Sequence, residues 1–216
     1  MSKENRTISL LNQNIDEDYS WRIKELDDFK TVLEKAKDTS TQGSLIRAGI
    51  TLLYAHWEGF IKESAYCYYN FVTIQGFQLN TLTDNFIAIS LKKELNELIE
   101  SKRIKLQTKA VSILFAEFSK RGHFPPELPL WTANLDFNTF EEYCILLGID
   151  ITPFETKRQF IDKKLVQNRH TIAHGKYLKV DIKSFMEIYS ITLVLLKTFK
   201  ERILNSALIA AYRRTA

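Results

Sequence analysis

Two of the chain's four histidines and one of its arginines fall within a single decapeptide, Val166-Gln-Asn-Arg-His-Thr-Ile-Ala-His-Gly175. Imidazole gains and loses a proton near neutral pH. Guanidinium keeps its charge and holds phosphate oxygens in a planar fork. Side by side they suit proton transfer at a phosphate ester. On a helix at 100° per residue, Ile161, Leu165 and Ile172 fall within about 40° of one another and define a buried face. His170 and His174 lie about 160–200° from the centre of that face, and Arg169 flanks it at about 60°. The projection therefore keeps both imidazoles out of the core. An ordinary exposed pair at a helix terminus has the same geometry.

Charge gathers around this segment. From 157 to 183 there are eight basic residues against Asp162 and Asp181, a larger surplus than the +4 of the whole chain. Clustered cations attract phosphate where scattered ones do not, although a solvated helix face has a similar composition. Lys163, Lys164 and Lys176 stand nearest the histidines and are the candidate phosphate-binding side chains. No Gly-rich phosphate loop, His-Glu-x-x-His or Cys/His cluster is present, so a nucleotide-hydrolysing or zinc-dependent site has no support. No metal or cofactor is expected.

The elements that must position these residues read as helices. Seven glycines and four prolines in 216 residues leave little punctuation, and 45% hydrophobic with 26% charged residues is a globular composition. Ile15, Tyr19, Ile23, Leu26, Phe29 and Leu33 recur at three- and four-residue steps and mark a first amphipathic helix. A second runs over 44–72, and others over about 86–101 and 106–120. Residues 120–136 carry Pro125, Pro126 and Pro129 and read as a long irregular connector. Asn138, with Glu141 three residues on, reads as the N-cap of a short helix closed by Gly148. The helix bearing the decapeptide is expected over 155–174 with Gly175 as its C-cap, and the last begins near Asp181. The expectation is an all-α fold in one domain, residues 1–216.

Cys67 and Cys144 match no metal or redox spacing and read as reduced core residues. The first residues lack the apolar stretch of a secretory signal, and the apolar run 191–196 is too short to cross a bilayer. A soluble cytoplasmic protein without membrane contact is the expectation.

Arg169, four intervening residues and His174 form the R-x4-6-H signature, and the chain resembles the HEPN superfamily on that motif. Arg169-His-Thr-Ile-Ala-His-Gly175 is similar to the R-N-x-I-A-H-G string of small prokaryotic members, with His170 where Asn is commonest. Leu53-Tyr-Ala-His-Trp-Glu-Gly-Phe-Ile-Lys62 resembles the long second helix of the same group. The resemblance covers about residues 45 to 205. It implies a HEPN-like helical bundle forming a homodimer, with Arg169 and His174 facing their copies across a two-fold axis. It also implies a metal-independent endoribonuclease of the toxin or antiviral-defence type, in which the RNA 2′-hydroxyl attacks the adjacent phosphate. A HEPN dimer that only binds RNA or a nucleotide is the alternative, as is a helical partner subunit of a defence ATPase or antitoxin. His170 would bind phosphate, orient His174 or carry a proton, and the sequence leaves these roles open. Glu58 and His56 are candidates for orienting Arg169.

Overall fold

A computed structural model describes residues 6–36, 40–100, 103–128 and 134–214. Its frame is three long helices: α1 (Ile8–Lys35), α2 (Gln42–Thr73) and, near the end of the chain, α9 (Ile182–Leu208). Thr7 caps α1 by accepting from the Leu10 N–H at 3.2 Å, and Asp181 caps α9 by accepting from Ser184 at 2.7 Å. Each side chain satisfies a donor that the first helical turn leaves orphaned. The three helices pack against one another. At Gly49 of α2 they meet so closely that an added Cβ would stand 2.5 Å from the Phe29 ring and 2.6 Å from that of Phe185. The glycine is required by space, not by backbone conformation. The Tyr189 hydroxyl donates to Asp27, and Lys200 pairs with Asp16 at 2.5 Å, fastening α9 to α1.

Short helices complete the bundle. Residues 86–101 do not form the single helix expected. The chain breaks at Leu91 (φ −105°, ψ 21°), separating α3 (Asp84–Ser90) from α4 (Lys92–Glu100), and α5 (Ile104–Phe118) follows. The break lets Phe86, Ile89 and Leu91 enter the core. Helix α4 contributes no buried side chain. Helix α6 (Phe137–Leu147) is capped by Asp136, which accepts from Thr139 at 2.8 Å, and not by Asn138. Phe137 has no exposed surface, and burying it draws the helix start to the residue before it. Asn138 instead accepts from Arg158 at 2.7 Å, and Glu141 pairs with the same guanidinium. Gly148 ends α6 in the left-handed region at φ 67°.

The core gathers around Trp57 of α2, whose ring lies 5.1 Å from Phe140; Phe140 in turn meets Phe154 at 4.9 Å and Phe199 at 5.5 Å. Such edge-on aromatic contacts add to the burial of their area. Cys67 and Cys144 are free and buried, and burial pushes the Cys144 thiol up. Among the described residues no helix is long and apolar enough to cross a membrane.

The segment expected as one helix over 155–174 is built in three pieces. Pro153 sits in the single turn of α7 (Thr152–Glu155), a position that lacks a helical hydrogen-bond partner in any case. A π-helical stretch, Phe160–Gln167, then runs directly into α8 (Asn168–Ala173). Ile161 and Leu165 are fully buried, as expected, and Ile172 is half-buried. Gly175, at φ 69°, ends the segment, with Gly175 N–H on the Ile172 carbonyl at 3.0 Å and Lys176 N–H on that of Thr171 at 3.1 Å. These bonds close the carbonyls that the helix end leaves open.

Candidate active site

Helix α8 and its C-cap carry the three candidate side chains, two on one side and one on another. His170 and His174 are both exposed, with ring centroids 4.2 Å apart and planes inclined at 53°. Their spacing of one helical turn is what brings the rings together. Arg169 turns the other way and is half-buried. Its Nη1 donates to the Asn134 side-chain oxygen at 3.0 Å, and its guanidinium lies 4.8 Å from the centroid of the Tyr54 ring.

That seat is itself well fixed. Tyr54, on α2, is buried, and its hydroxyl accepts from the Leu135 N–H at 2.9 Å. Trp57, one turn on, donates from Nε1 to the Leu135 carbonyl at 3.2 Å. The end of the long connector is thereby clamped by both backbone groups of Leu135, and Asn134 beside it is held against Arg169. Burial is the main reason that the Tyr54 phenol is pushed up to about 12, so the ring beneath the guanidinium stays neutral. A charge over an aromatic face, with one donor fixed in plane, is a pre-oriented cation. The first part of the connector is anchored too, since the Tyr69 hydroxyl donates to the Pro125 carbonyl at 2.7 Å. Pro129 lies outside the described residues.

The two expected orienting residues part company. Glu58 pairs with Lys62 at 2.5 Å and also hydrogen-bonds Tyr54, the ring beneath Arg169, while Arg169 itself is held by Asn134. His56 is 2% exposed and faces α1: its Nε2 stands 2.8 Å from a Glu25 carboxylate oxygen, with the Trp21 ring 5.3 Å away. Neither ring nitrogen makes a well-directed hydrogen bond among the described residues. Burial lowers the His56 pKa from 6.5, and Arg22 adds to the effect, against the opposing pull of Glu25 and Asp18. The unfolded chain therefore takes up a proton below about pH 6.5 that the folded one resists, and stability is lost as the pH falls. Wild-type protein should unfold at a lower denaturant concentration at pH 5.5 than at pH 7.5. His56→Gln should shrink that difference. An identical pH dependence in the variant would remove His56 from the account.

Lys163, Lys164 and Lys176 are exposed. Lys163 lines a cavity of about 300 Å³ that also includes His170. Arg158 belongs to a different set of contacts: besides Asn138 and Glu141 it covers the Phe137 ring at 4.1 Å. It counts toward the basic surplus of this stretch but not toward the free cations beside the histidines. Tyr177, 79% exposed, lies below the Arg47 guanidinium at 5.4 Å. Among the described residues no group of three or more His, Cys, Asp or Glu could hold a metal ion. A larger cavity, about 700 Å³, opens between Thr83 and Arg214 and contains none of these side chains.

Sequence reasoning missed Asn134, Leu135 and Tyr54. Tyr54 stood inside the string matched on α2, and its alternation with Trp57 at one helical turn was the signal available. Asn134 gave none, because its partner is 35 residues away.

A family model described as HEPN_MAE_28990-like HEPN matches residues 11–212. Neither the curated proteins nor the solved structures compared with the chain give a match.

Proposed function

The chain belongs to the HEPN family, and on that premise we propose that it is a metal-independent endoribonuclease of the toxin or antiviral-defence type, acting in the cytoplasm as a homodimer. The observation that carries this reading is the seating of Arg169. Its guanidinium is held by Asn134 and Tyr54 on the same short segment that carries two exposed imidazoles, so a fixed cation and two proton carriers leave one helix end.

In-line attack by a 2′-hydroxyl needs a base for that proton, an acid for the departing 5′-oxygen and a cation for charge gathering on phosphorus. His174 of one protomer takes the proton from the 2′-oxygen as the new P–O2′ bond forms. His174 of the second copy gives a proton to O5′ as the P–O5′ bond breaks. The products are a 2′,3′-cyclic phosphate and a 5′-hydroxyl, with no net gain or loss of protons. Arg169 stabilises the phosphorane through donors aimed where the charge develops. His170, one turn from His174, binds phosphate or orients its neighbour. Lys163, Lys164 and Lys176 hold the flanking backbone electrostatically.

The exposure of His170 and His174 supports a second copy as the missing wall. A site open to water on one side gains electrostatic strength when another surface covers it. The contact would have to bury more than about 1,000 Å² in total to be stable.

The test uses purified full-length protein with total RNA in excess EDTA. Cleavage should continue undiminished and leave 2′,3′-cyclic phosphates and 5′-hydroxyl ends. Activity that needs added Mg²⁺, or that leaves 5′-phosphates, would overturn the mechanism. Binding without any cleavage would turn the reading to a non-catalytic RNA-binding dimer.

A further inference from the structure

The cavity beside His170 is walled by the start of α6 and by the π-helical stretch, and three of its polar side chains are already anchored, with Lys163 and Gln167 completing the polar lining. Asp136 accepts from Thr139 at 2.8 Å with one carboxylate oxygen, and Asp162 accepts from the Phe137 N–H at 2.8 Å with one of its own. Asn138 accepts from Arg158 at 2.7 Å through its oxygen. Each contact fixes a side chain and uses one end of it. What remains is the second oxygen of Asp136, the second oxygen of Asp162 and the amide N–H₂ of Asn138, none with a further hydrogen bond among the described residues. The anchored part of the wall therefore offers two charged acceptors and one donor, and the Gln167 amide can serve as either.

Only one common nucleobase presents the converse. The Watson–Crick edge of guanine carries an acceptor at O6 and then donors at N1 and N2. Adenine sets its N1 acceptor, uracil its O2 and O4, and cytosine its N3 and O2 against at least one half-buried carboxylate, and an acceptor facing an anion is disfavoured. His170 supplies a flat ring on which a base can stack. A cavity of about 300 Å³ lies at the lower end of the roughly 300–1,000 Å³ usual for small-molecule sites, a size suited to one base. Lys163, on the same wall, offsets the two carboxylates and can hold the phosphate of the bound nucleotide.

We infer that this cavity is a guanine subsite, in which Asp136 and Asp162 accept from N1–H and N2–H₂ and Asn138 donates to O6. The inference rests on the ribonuclease reading, for which it names the base next to the cleaved phosphate. Because His170 is both cavity wall and neighbour of His174, a base seated here brings its phosphate to the imidazole pair.

Two measurements test it. Calorimetric titration with 3′-GMP, 3′-AMP, 3′-UMP and 3′-CMP should show 3′-GMP binding at least about tenfold tighter than the others. Asp162→Asn and Asp136→Asn keep an acceptor for the Phe137 and Thr139 N–H groups, so the start of α6 survives while the charged acceptor is lost. In each variant, checked for helical content by circular dichroism, the guanine preference should fall to within about threefold. Equal binding of all four nucleotides, or a preference unchanged in both variants, overturns the subsite.

The second measurement is sequencing of cleavage ends from a random RNA pool. Guanine enrichment at one position flanking the cut supports the subsite, and cuts without base preference overturn it. Guanine-selective binding in a protein that cleaves no RNA would support the subsite and sink the ribonuclease reading. The two failures are thus separable.

Discussion

Replacing His174 by alanine should lower RNA cleavage by about 10²–10⁴ while changing RNA affinity by only a few-fold. His174 is exposed at the end of α8 and has the His170 ring as its aromatic neighbour, so its removal leaves no cavity in the core. The fold should therefore survive, and any loss of activity reports on chemistry. In a two-fold site both proton carriers disappear at once, which places the expected loss toward the upper end of that range. Affinity depends instead on phosphate contacts, and Lys163→Ala with Lys164→Ala should weaken binding first and flatten its dependence on salt. The comparison is initial cleavage rate of labelled RNA in excess EDTA against binding measured with the same RNA at matched ionic strength. Full activity in His174→Ala protein would remove the residue on which the reading chiefly rests. Mixing His174→Ala with Arg169→Ala protomers adds a further check, since a shared site predicts partial recovery in the mixed dimer.

Arg169→Lys should cost nearly as much as Arg169→Ala, about 10²–10³ in kcat. A lysine keeps the charge, yet the geometry around Arg169 asks for more than charge. One donor is committed to Asn134, the planar face lies over Tyr54, and the remaining donors are left for phosphate oxygens. An ammonium on a flexible stem cannot lie flat on the ring and present two parallel donors at once. Asn134→Ala is the informative companion. It keeps the guanidinium but frees its orientation, so kcat should fall while KM changes little. Recovery of wild-type kcat in Arg169→Lys protein would reduce Arg169 to a generic cation. A rise in KM with kcat unchanged would assign it to ground-state binding.

Much of this arrangement was legible in the sequence because it is local. The stripe Ile15, Leu26 and Leu33 does enter the core from α1, and the left-handed Gly148 and the cap at Asp181 stand where turn and capping chemistry put them. So did the exposure of His170 and His174 and the flanking position of Arg169, since a helical projection needs nothing beyond the helix itself. The family resemblance, carried by one motif and the α2 string, agrees with a match over residues 11–212.

What the sequence hid is non-local or competitive. The contact between Asn134 and Arg169 joins a loop to a helix, and no spacing rule reaches across that separation. His56 and Glu58 looked equally close to the site on paper. On a helix, two residues turn the chain by about 200°, so with Tyr54 facing Arg169, His56 must face α1. Asp136 and Asn138 are comparable caps by type, and burial of Phe137 decided between them. The break at Leu91 is a similar decision by the core, which took in Ile89 and Leu91 at the expense of a continuous helix.

The π-helical stretch from Phe160 to Gln167 bears on how the gene can change. Its hydrogen bonds span five residues where those of an α-helix span four, so it stores more amino acids per turn than α8 does. A codon lost within it would let the backbone relax into an ordinary α-helix without shortening a loop or breaking a cap. Because the wide turns hold the surplus residue, that relaxation would leave the heading of the chain beyond it nearly unchanged. Arg169 would stay over Tyr54, and His170 and His174 would keep their present exposure. A single deleted residue should therefore be tolerated in this stretch, whereas the same loss inside α8 would turn the residues after it by about 100° and part His174 from His170.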